Sequence, residues 1–401
     1  MTQRIQDGSP IRFGIVGLGT AGSALIQPVV NNPNFIMAAA ADSDEETLGR
    51  FKADFPDAEV FGSADAIAAS PSVDVVFVAT PTHFHTDHVL ALIEGGKHVV
   101  TEKPIATRLE DADRMIEAAE RRGVVLMVGQ SFSYEAPIQE MRRIVKSGEL
   151  GPLKMIHNWY FNDWIYRPRN DEELDTSLGG GVTFRQGSHQ FDLIRLISGG
   201  MVRSVRAMTG RWDPARPAEG AHTVFLDFED GVVATAVYNG YDRFHSAELV
   251  GGVGESGANV DLSTYASARI ALRGAGGREG ERVLKKQFRY GGARNRRNSG
   301  PAPNMPFYGL TVVSCELGDI RQSPDGLLVY GPDDKREVAI PKGFTGRDRI
   351  LVELRAALVD GIPLVHSGRW GKANLEVCLA ALESSRERKE IHLSHQVPVH
   401  D

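Results

Sequence analysis

Three glycines near the start of the chain have the spacing of a phosphate-binding turn. Gly17, Gly19 and Gly22 form a G-x-G-x-x-G motif between an apolar run, 11–16, and a segment with helical periodicity. The first glycine permits a tight turn, the second lets a pyrophosphate approach the backbone, and the third lets helix and strand pack closely. The helix N-terminus adds free N–H groups and a positive dipole end. We assign dinucleotide binding to the whole turn: Gly17, Leu18, Gly19, Thr20, Ala21 and Gly22.

An acid follows the second predicted strand, 35–40, about twenty residues beyond the turn, where ribose hydroxyls are recognised. This acid is Asp42. An alternative role for Asp42 is that of N-cap for the helix that follows. Ser43 comes next and no arginine is near in the sequence, so a 2′-phosphate would meet a carboxylate without a cation. The pattern therefore predicts NAD, with NADP less suited.

Size and composition predict a two-domain globular protein. The chain has 401 residues, 42% of them hydrophobic and 24% charged, and a net charge of −7 without a long basic run. We therefore expect no nucleic-acid partner. Cys315 and Cys378 provide neither a disulfide framework nor a thiolate metal site, and no stretch has the length of a membrane span. A cytoplasmic protein without membrane contact is expected.

The first third of the chain alternates between strands and helices. Predicted strands lie at 11–16, 35–40, 59–61, 73–79, 98–101 and 124–128, with helices between them, among them 46–55 and 109–121. Right-handed crossovers in such a pattern make a doubly wound parallel sheet that binds its ligand at the carboxyl ends of the strands. Gly17, Asp42, Thr80 and Lys103 each follow a strand, so we expect them to line one crevice. Residues 1–130 are thus predicted to form a Rossmann domain.

The remainder, 131–401, is predicted to be an α+β domain that binds substrate and forms the oligomer contact. A helix at 138–146 is followed by predicted antiparallel strands at 154–161, 201–212, 221–228 and 232–241, with a helix at 190–197 between them. The segment 291–306, which contains Arg294, Arg296 and Arg297, has the composition of a loop. Helices are predicted at 348–359 and 372–390. An open sheet needs a cover, which favours a homo-oligomer, a dimer or a tetramer.

Motifs along the whole chain resemble those of the glucose–fructose oxidoreductase/inositol dehydrogenase (Gfo/Idh/MocA) family. They are the glycine turn, Thr80 and Pro81 with His85, the Glu102-Lys103-Pro104 tripeptide, and three glycines at 179–181 followed by His189 and Asp192. The resemblance implies a Rossmann domain, a C-terminal domain with a large open sheet, and hydride transfer to or from a nicotinamide. It makes Lys103 and His189 the catalytic pair. It also adds Thr80, Pro81, His85, Glu102 and Lys103 to the cofactor site.

Both proposed catalytic residues have chemistry suited to alcohol oxidation, which requires a group that accepts the hydroxyl proton. Lys103 could serve if burial and a nicotinamide cation lower its pKa, and His189 already titrates near neutrality. Alternatively, Lys103 is a surface lysine at a strand end and His189 is an incidental histidine at a helix N-terminus. His83, His85 and His88 do not have the spacing of a zinc site, so no metal is predicted.

Two stretches, 159–169 and 307–326, resemble one branch of the family, the phthalate 4,5-cis-dihydrodiol dehydrogenases. The chain also departs from the sugar and inositol members, because Arg185 occupies the position where many of them have Asp, and Ser133 and Tyr134 replace an arginine–aromatic pair. An arginine fork suits a carboxylate better than a neutral polyol. Substrate contacts are therefore predicted for Arg185, Arg167, Arg169, Tyr134 and Asp192, although Arg167 and Arg169 could equally be solvated.

The sequence thus predicts NAD-dependent oxidation of a small anionic substrate, a carboxylated cis-dihydrodiol, to a catechol in the degradation of aromatic compounds. Two alternatives remain open. One is a sugar, inositol or sugar-acid dehydrogenase of the same family, and the other is an NAD-binding sensor without turnover.

Overall fold

The structure is a computed structural model that describes residues 8–295 and 302–400. Its N-terminal part is a six-stranded parallel sheet of order β3-β2-β1-β4-β5-β6, flanked by helices. The elements are β1 Ile11–Val16, α1 Thr20–Asn31, β2 Phe35–Ala41, α2 Glu45–Asp54, β3 Glu59–Phe61, α3 Ala64–Ala68, β4 Val75–Val78, α4 His85–Glu94, β5 His98–Thr101, α5 Leu109–Arg122 and β6 Leu126–Val128. The predicted doubly wound sheet is confirmed.

The strand register aligns the predicted site residues along one sheet edge. Val16 at the end of β1 pairs with Ala41 of β2 and with Val78 of β4, and Val78 pairs with Thr101 of β5. The residues that follow these strand ends, Gly17, Asp42, Thr80 and Lys103, therefore emerge along the same edge. Branched and aromatic side chains fill β1 and β4, which are almost fully buried, as expected for a sheet covered on both faces.

The second part contains a nine-stranded sheet of order β14-β13-β12-β11-β7-β10-β9-β8-β15. Its strands are β7 Leu153–Phe161, β8 Val202–Gly210, β9 Ala221–Phe228, β10 Val233–Asn239, β11 Leu310–Cys315, β12 Gly318–Ser323, β13 Gly326–Tyr330, β14 Lys335–Ala339 and β15 Ile391–His392. The sheet is mostly antiparallel. The prediction that 154–161 and 232–241 belong to antiparallel pairs is only partly correct, because β7 and β10 pair in parallel at the centre of the sheet.

Six helices accompany this sheet within the described residues. They are α6 Ala136–Ser147, α7 Ser188–Ser198, α8 Ser267–Gly274, α9 Arg278–Lys286, α10 Gly346–Arg355 and α11 Gly368–Glu387. A π-helical turn, Thr183–Gly187, leads directly into α7. The sequence analysis did not predict α8 and α9, because their exposed, charged faces offer only a short apolar stripe. The described parts of the predicted loop 291–306 are residues 291–295 and 302–306, and both lie outside helices and strands, as predicted. Arg296 and Arg297 lie outside the described residues.

The last two helices return to the N-terminal sheet. Ile350, Leu351 and Leu354 of α10 belong to the same buried cluster as Phe13 and Leu25. Ahead of α11, the carbonyl oxygen of His366 accepts a hydrogen bond of 2.8 Å from the backbone N–H of Val128, at the end of β6. The predicted boundary at residue 130 therefore separates the two sheets, but α10 and the segment before α11 lie beyond it in the chain and still pack against the N-terminal sheet.

The outer face of the large sheet carries exposed apolar side chains, among them Met155 and Trp159 of β7, Met208 of β8 and Phe225 of β9. Side chains that alternate with them along these strands are buried, so the pattern is that of a sheet with one face open. Its cover by a second subunit stays a prediction. Across the described part of the chain, the helices are all too short or too polar to span a bilayer.

Candidate active site

The geometry of the glycine turn fits a pyrophosphate. Gly17 has φ of +95°, a left-handed conformation that favours glycine, and a Cβ on Gly22 would lie 1.8 Å from the carbonyl oxygen of Gly17. A Cβ on Gly19 would instead meet no atom within 4 Å, so the backbone there faces open space. Helix α1 begins after Gly19 without a side-chain cap. Its first N–H groups are thus available to a phosphate.

Asp42 holds this turn to the end of β2. Its carboxylate accepts hydrogen bonds from the backbone N–H of Leu18 at 2.7 Å and of Asp44 at 2.9 Å. The N-cap of α2 is Asp44, whose side chain accepts from the N–H of Thr47, so the alternative role for Asp42 as a helix cap is wrong. A carboxylate at this edge has the position needed for a ribose hydroxyl.

The expectation that Asp42 has no cation near it is wrong. The guanidinium of Arg289, from the segment that follows α9, lies 3.7 Å from the Asp42 carboxylate and 3.3 Å from that of Asp44. Sequence analysis missed this residue because it lies 247 positions beyond Asp42 and no local pattern connects the two.

His85 joins two strand ends of the crevice. Its Nδ1 lies 3.0 Å from the carbonyl oxygen of Pro104 and its Nε2 lies 2.9 Å from that of Thr80. Burial lowers the pKa of His85 to about 4, so the ring is neutral at pH 7 and can donate to one carbonyl at a time. The hydroxyl of Thr80 contacts His88 at 3.1 Å. His85 thus supports the turns after β4 and β5, as the family resemblance implies.

Lys103 lies at the carboxyl end of β5 and reaches into the second domain. Its ammonium donates a hydrogen bond of 2.6 Å to the backbone carbonyl oxygen of Arg185, in the π-helical turn. Burial is the main cause that lowers the pKa of Lys103 to about 8; the nearby Glu102 opposes the change, and the charge of Arg185 adds to it. A lysine with this pKa is partly neutral near pH 8 and can accept a proton.

His189 occupies the first turn of α7, directly after the π-helical turn. It is 5% exposed, and among the described residues its Nδ1 has no hydrogen-bond partner. Burial, and then the charge of Lys103, lower its pKa well below the usual value, so its ring is neutral. The rings of Phe132 and Tyr308 pack against it, with centroids 4.7 and 5.1 Å away. An unpartnered, neutral nitrogen beside two aromatic rings can accept or donate one hydrogen bond to a bound ring substrate.

Arg185 belongs to a cluster of cations that share one buried acid. Glu173 pairs with Arg169 at 3.0 Å and with Lys285 at 2.8 Å, and the guanidinium of Arg185 lies farther away, at 3.8 Å. Burial alone would raise the pKa of Glu173, but the three cations together hold it well below the usual range. Of the three cations, Arg185 is therefore the one that Glu173 holds least tightly.

The structure does not support a substrate contact for four of the five residues proposed. Arg169 stacks on Trp164 and donates to Glu173, while Arg167 donates to Asp163 at 2.7 Å and to Glu255 at 3.0 Å. Their guanidinium groups are thus committed to internal partners. This pairing is invisible in the sequence, where both looked like arginines of a polar loop.

Tyr134 and Asp192 are interior residues. The hydroxyl of Tyr134 donates to Glu353 at 2.6 Å, and the indole N–H of Trp370 donates to Asp192 at 2.6 Å. Tyr134 is 5% exposed and Asp192 is fully buried. Both therefore stabilise the contact of α10 and α11 with the rest of the chain, and their polar groups bind internal partners where a substrate contact was predicted.

Within the described residues, no three His, Cys, Asp or Glu side chains are grouped to hold a metal ion. Sequence reasoning missed Glu173 and Lys285 as members of the site. The signal for Glu173 was weak, since it is one acid among several at 171–175, and Lys285 lies on a helix that was not predicted.

A doubly wound sheet with a glycine-rich turn at its carboxyl edge is the architecture of dinucleotide-dependent oxidoreductases. The NAD-binding Rossmann-fold domain of the GFO/IDH/MocA oxidoreductase family matches residues 11–130, and the C-terminal domain of that family matches residues 138–255. The chain belongs to this family. It is a dehydrogenase with an NAD-binding Rossmann domain.

Individual relatives are similar over nearly the whole chain. A 1-carboxy-3-chloro-3,4-dihydroxycyclohexa-1,5-diene dehydrogenase from Comamonas testosteroni is 36% identical, with 94% of this chain and 95% of the relative covered. A scyllo-inositol 2-dehydrogenase (NADP⁺) from Bacillus subtilis is 26% identical, with 96% of each covered. A crystal structure of a chain from Bordetella bronchiseptica RB50, described as a dehydrogenase, has a TM-score of 0.89 and 39% identity, and covers 96% of this chain and 100% of that one.

Proposed function

We propose that the protein oxidises a carboxylated cis-dihydrodiol, of the 4,5-dihydro-4,5-dihydroxyphthalate type, to the corresponding catechol with NAD. The observation that carries this proposal is the position of Arg185, whose backbone carbonyl contacts Lys103 and whose guanidinium is only loosely paired with Glu173. An arginine with free donors beside the proposed base offers a fork for a carboxylate.

Two further features support a flat, anionic substrate. The cation cluster of Arg169, Arg185 and Lys285 around Glu173 leaves an excess of positive charge beside Lys103. Phe132 and Tyr308, which both pack against His189, form an aromatic wall with ring centroids 4.2 Å apart. The Comamonas relative is also named for a carboxylated dihydroxycyclohexadiene, and this kind of substrate is a dihydrodiol and not a polyol.

In this proposal the neutral amine of Lys103 accepts the proton of the substrate hydroxyl. His189, neutral and unpartnered at Nδ1, orients or shares that proton. Arg185 holds a carboxylate so that the carbinol carbon faces the nicotinamide. Bound NAD supplies the acceptor for the hydride that leaves this carbon. The ketone so formed gains aromatic stabilisation when it tautomerises to the catechol, which favours oxidation.

The turn residues 17–22 would hold the pyrophosphate and Asp42 the adenosine ribose. Preference for NAD over NADP belongs to the same proposal, because the Asp42 and Asp44 carboxylates lie at this edge and already share the guanidinium of Arg289 between them. A 2′-phosphate would add a further negative charge to this place.

The test is an oxidation assay with purified protein, NAD or NADP, and a substrate panel, followed at ~340 nm, where reduced nicotinamide absorbs. The panel contains a phthalate-type dihydrodiol, the unsubstituted benzene dihydrodiol, inositol and glucose. We expect the highest kcat/KM with the dicarboxylate. A protein that oxidises inositol well and ignores the dihydrodiol would instead be a polyol dehydrogenase of the same family.

A further inference from the structure

The segment 288–295, which follows α9, lies against the glycine turn. The backbone N–H of Tyr290 donates a hydrogen bond of 2.9 Å to the carbonyl oxygen of Leu18, and the side-chain amide of Asn295 donates to the hydroxyl of Ser23 at 2.9 Å. Leu18 precedes Gly19 and Ser23 follows Gly22, so the two contacts flank the stretch that faces the pyrophosphate position. The segment belongs to the C-terminal part of the chain, yet it forms one side of the Rossmann crevice.

Its attachment to the first domain is a packed one. Tyr290 is fully buried, its ring lies 5.7 Å from that of Phe51 in α2, and its hydroxyl donates to Asp54 at 2.8 Å. A fully buried aromatic residue with a satisfied hydroxyl is an anchor and not a passing contact. The residue beside it is therefore held at a defined place.

That neighbouring residue is Arg289. Its guanidinium lies 3.3 Å from Asp44 and 3.7 Å from Asp42, and its side chain is 35% exposed. Asp42 already accepts two backbone hydrogen bonds. Its carboxylate is also the group that the adenosine ribose would approach, and Arg289 lies beside it. The guanidinium is thus both restrained by carboxylates and open to a ligand.

We propose that Arg289 completes the adenosine half of the cofactor site and, together with Asp42, sets its discrimination between NAD and NADP. This inference rests on the NAD preference proposed above. In the native protein the two carboxylates neutralise the guanidinium, and Asp42 would repel a 2′-phosphate. When Asp42 is replaced by an uncharged residue, Arg289 loses one of its partners and its N–H groups can bind a 2′-phosphate.

The experiment is a double-mutant cycle on cofactor binding, measured by isothermal titration calorimetry without substrate. The variants are Asp42→Ala, Arg289→Ala and the double variant, each titrated with NAD and with NADP. We expect Asp42→Ala to tighten NADP binding about tenfold relative to NAD, and the double variant to lose that gain. An equal gain in both backgrounds, or no gain in either, would overturn the role of Arg289.

Arg282→Ala is the matched control for the loss of one positive charge, because Arg282 pairs with Asp171 and Glu279 on the exposed face of α9. It should leave both affinities unchanged, and an equal effect of Arg282→Ala would reduce the proposal to long-range electrostatics and overturn it. Circular dichroism and thermal unfolding establish that each variant is folded, and Arg289→Gln replaces Arg289→Ala should the latter unfold. Because no substrate is present, the result is independent of the dihydrodiol assay.

Discussion

The ammonium group of Lys103 donates a 2.6 Å hydrogen bond to the backbone carbonyl of Arg185. Lys103 belongs to the strand edge that is proposed to hold the cofactor, and Arg185 belongs to the π-helical turn and is the proposed substrate arginine. The bond thus fixes the distance between the proposed base and the proposed carboxylate clamp. Movement of the π-helical turn would therefore change the position of Arg185 and the hydrogen bond of Lys103 at the same time.

The lowered pKa of Lys103 predicts the pH dependence of the reaction. Neutral lysine is the active form of the base, so kcat/KM should rise with pH through about 8 and level off above it. Lys103→Ala should cut turnover roughly a hundredfold or more and remove this limb, with little change in NAD affinity. A variant that kept the same pH profile would show that another group titrates.

His189→Ala should lower kcat by roughly a hundredfold as well, because it removes the ring nitrogen that is proposed to orient or share the substrate proton. His189→Gln keeps a hydrogen-bonding side chain without a titrating ring, and full activity in this variant would restrict the histidine to orientation. Stopped-flow measurement of NADH formation separates the chemical step from product release. Wild-type turnover in His189→Ala would contradict a catalytic role.

Arg185→Ala should weaken a dicarboxylate substrate by about 2–5 kcal/mol, because one carboxylate loses its partner in a partly closed site. Arg185→Lys keeps the charge without the planar fork and should recover part of the loss. Arg185→Asp should abolish turnover of the dicarboxylate. The measurement is kcat/KM for each variant with the dihydrodiol and with inositol. Equal losses on charged and neutral substrates would make Arg185 a structural residue.

Glu173→Gln should destabilise the fold by about 3–5 kcal/mol, because Arg169 and Lys285 would remain buried without their counter-charge. Glu279→Gln, at an exposed ion pair, is the control and should change the free energy of unfolding little. The folded-state pKa of Glu173 lies below its unfolded value near 4.5, so its stabilisation is present above that pH and is lost on acidification. Urea unfolding at pH 7 compares the variants, and urea unfolding of the native protein at pH 7, 4 and 3 follows the loss on acidification, which has only begun at pH 4.

The two glycines of the turn should respond differently to alanine. Gly22→Ala places a Cβ 1.8 Å from a backbone oxygen and should lower thermal stability, whereas a Cβ at Gly19 has no atom of the described residues within 4 Å, so Gly19→Ala should leave thermal stability unchanged. Gly19→Ala should nevertheless weaken NAD binding, because its methyl group enters the space facing the turn. Unaltered NAD affinity in Gly19→Ala would place the pyrophosphate elsewhere.

The first sheet could be predicted from the sequence because every determinant is local. Continuous apolar runs such as 73–79, the glycine spacing and the helix periodicities all lie within short windows. The fold class, the family and the enzymatic class are confirmed. The catalytic roles of Lys103 and His189 remain predictions, since their assignment came from the motif context.

Most of the failures have one physical origin, which is pairing between residues far apart in the chain. Arg167 is neutralised by the distant Glu255, whereas Arg169 pairs with Glu173 only four residues further on, through a local turn that the sequence pattern did not indicate. Arg289 looked like part of a featureless charged stretch, yet it reaches Asp42. Tyr134 was predicted to contact the substrate from its position in the family motif. In the structure, α10 packs against it and its hydroxyl donates a hydrogen bond to Glu353.

The return of α10 and α11 to the first sheet also has a consequence for synthesis on the ribosome. The N-terminal domain leaves the exit tunnel long before residues 346–387 are translated, and until then the apolar surface around Phe13 and Leu25 that receives α10 has no cover. The edge strand β6 likewise lacks the hydrogen bond from Val128 to His366 until that segment has been translated. A nascent chain paused between these points should therefore be a chaperone client, and a stop codon anywhere before α10 should yield an insoluble fragment and not a free cofactor-binding domain.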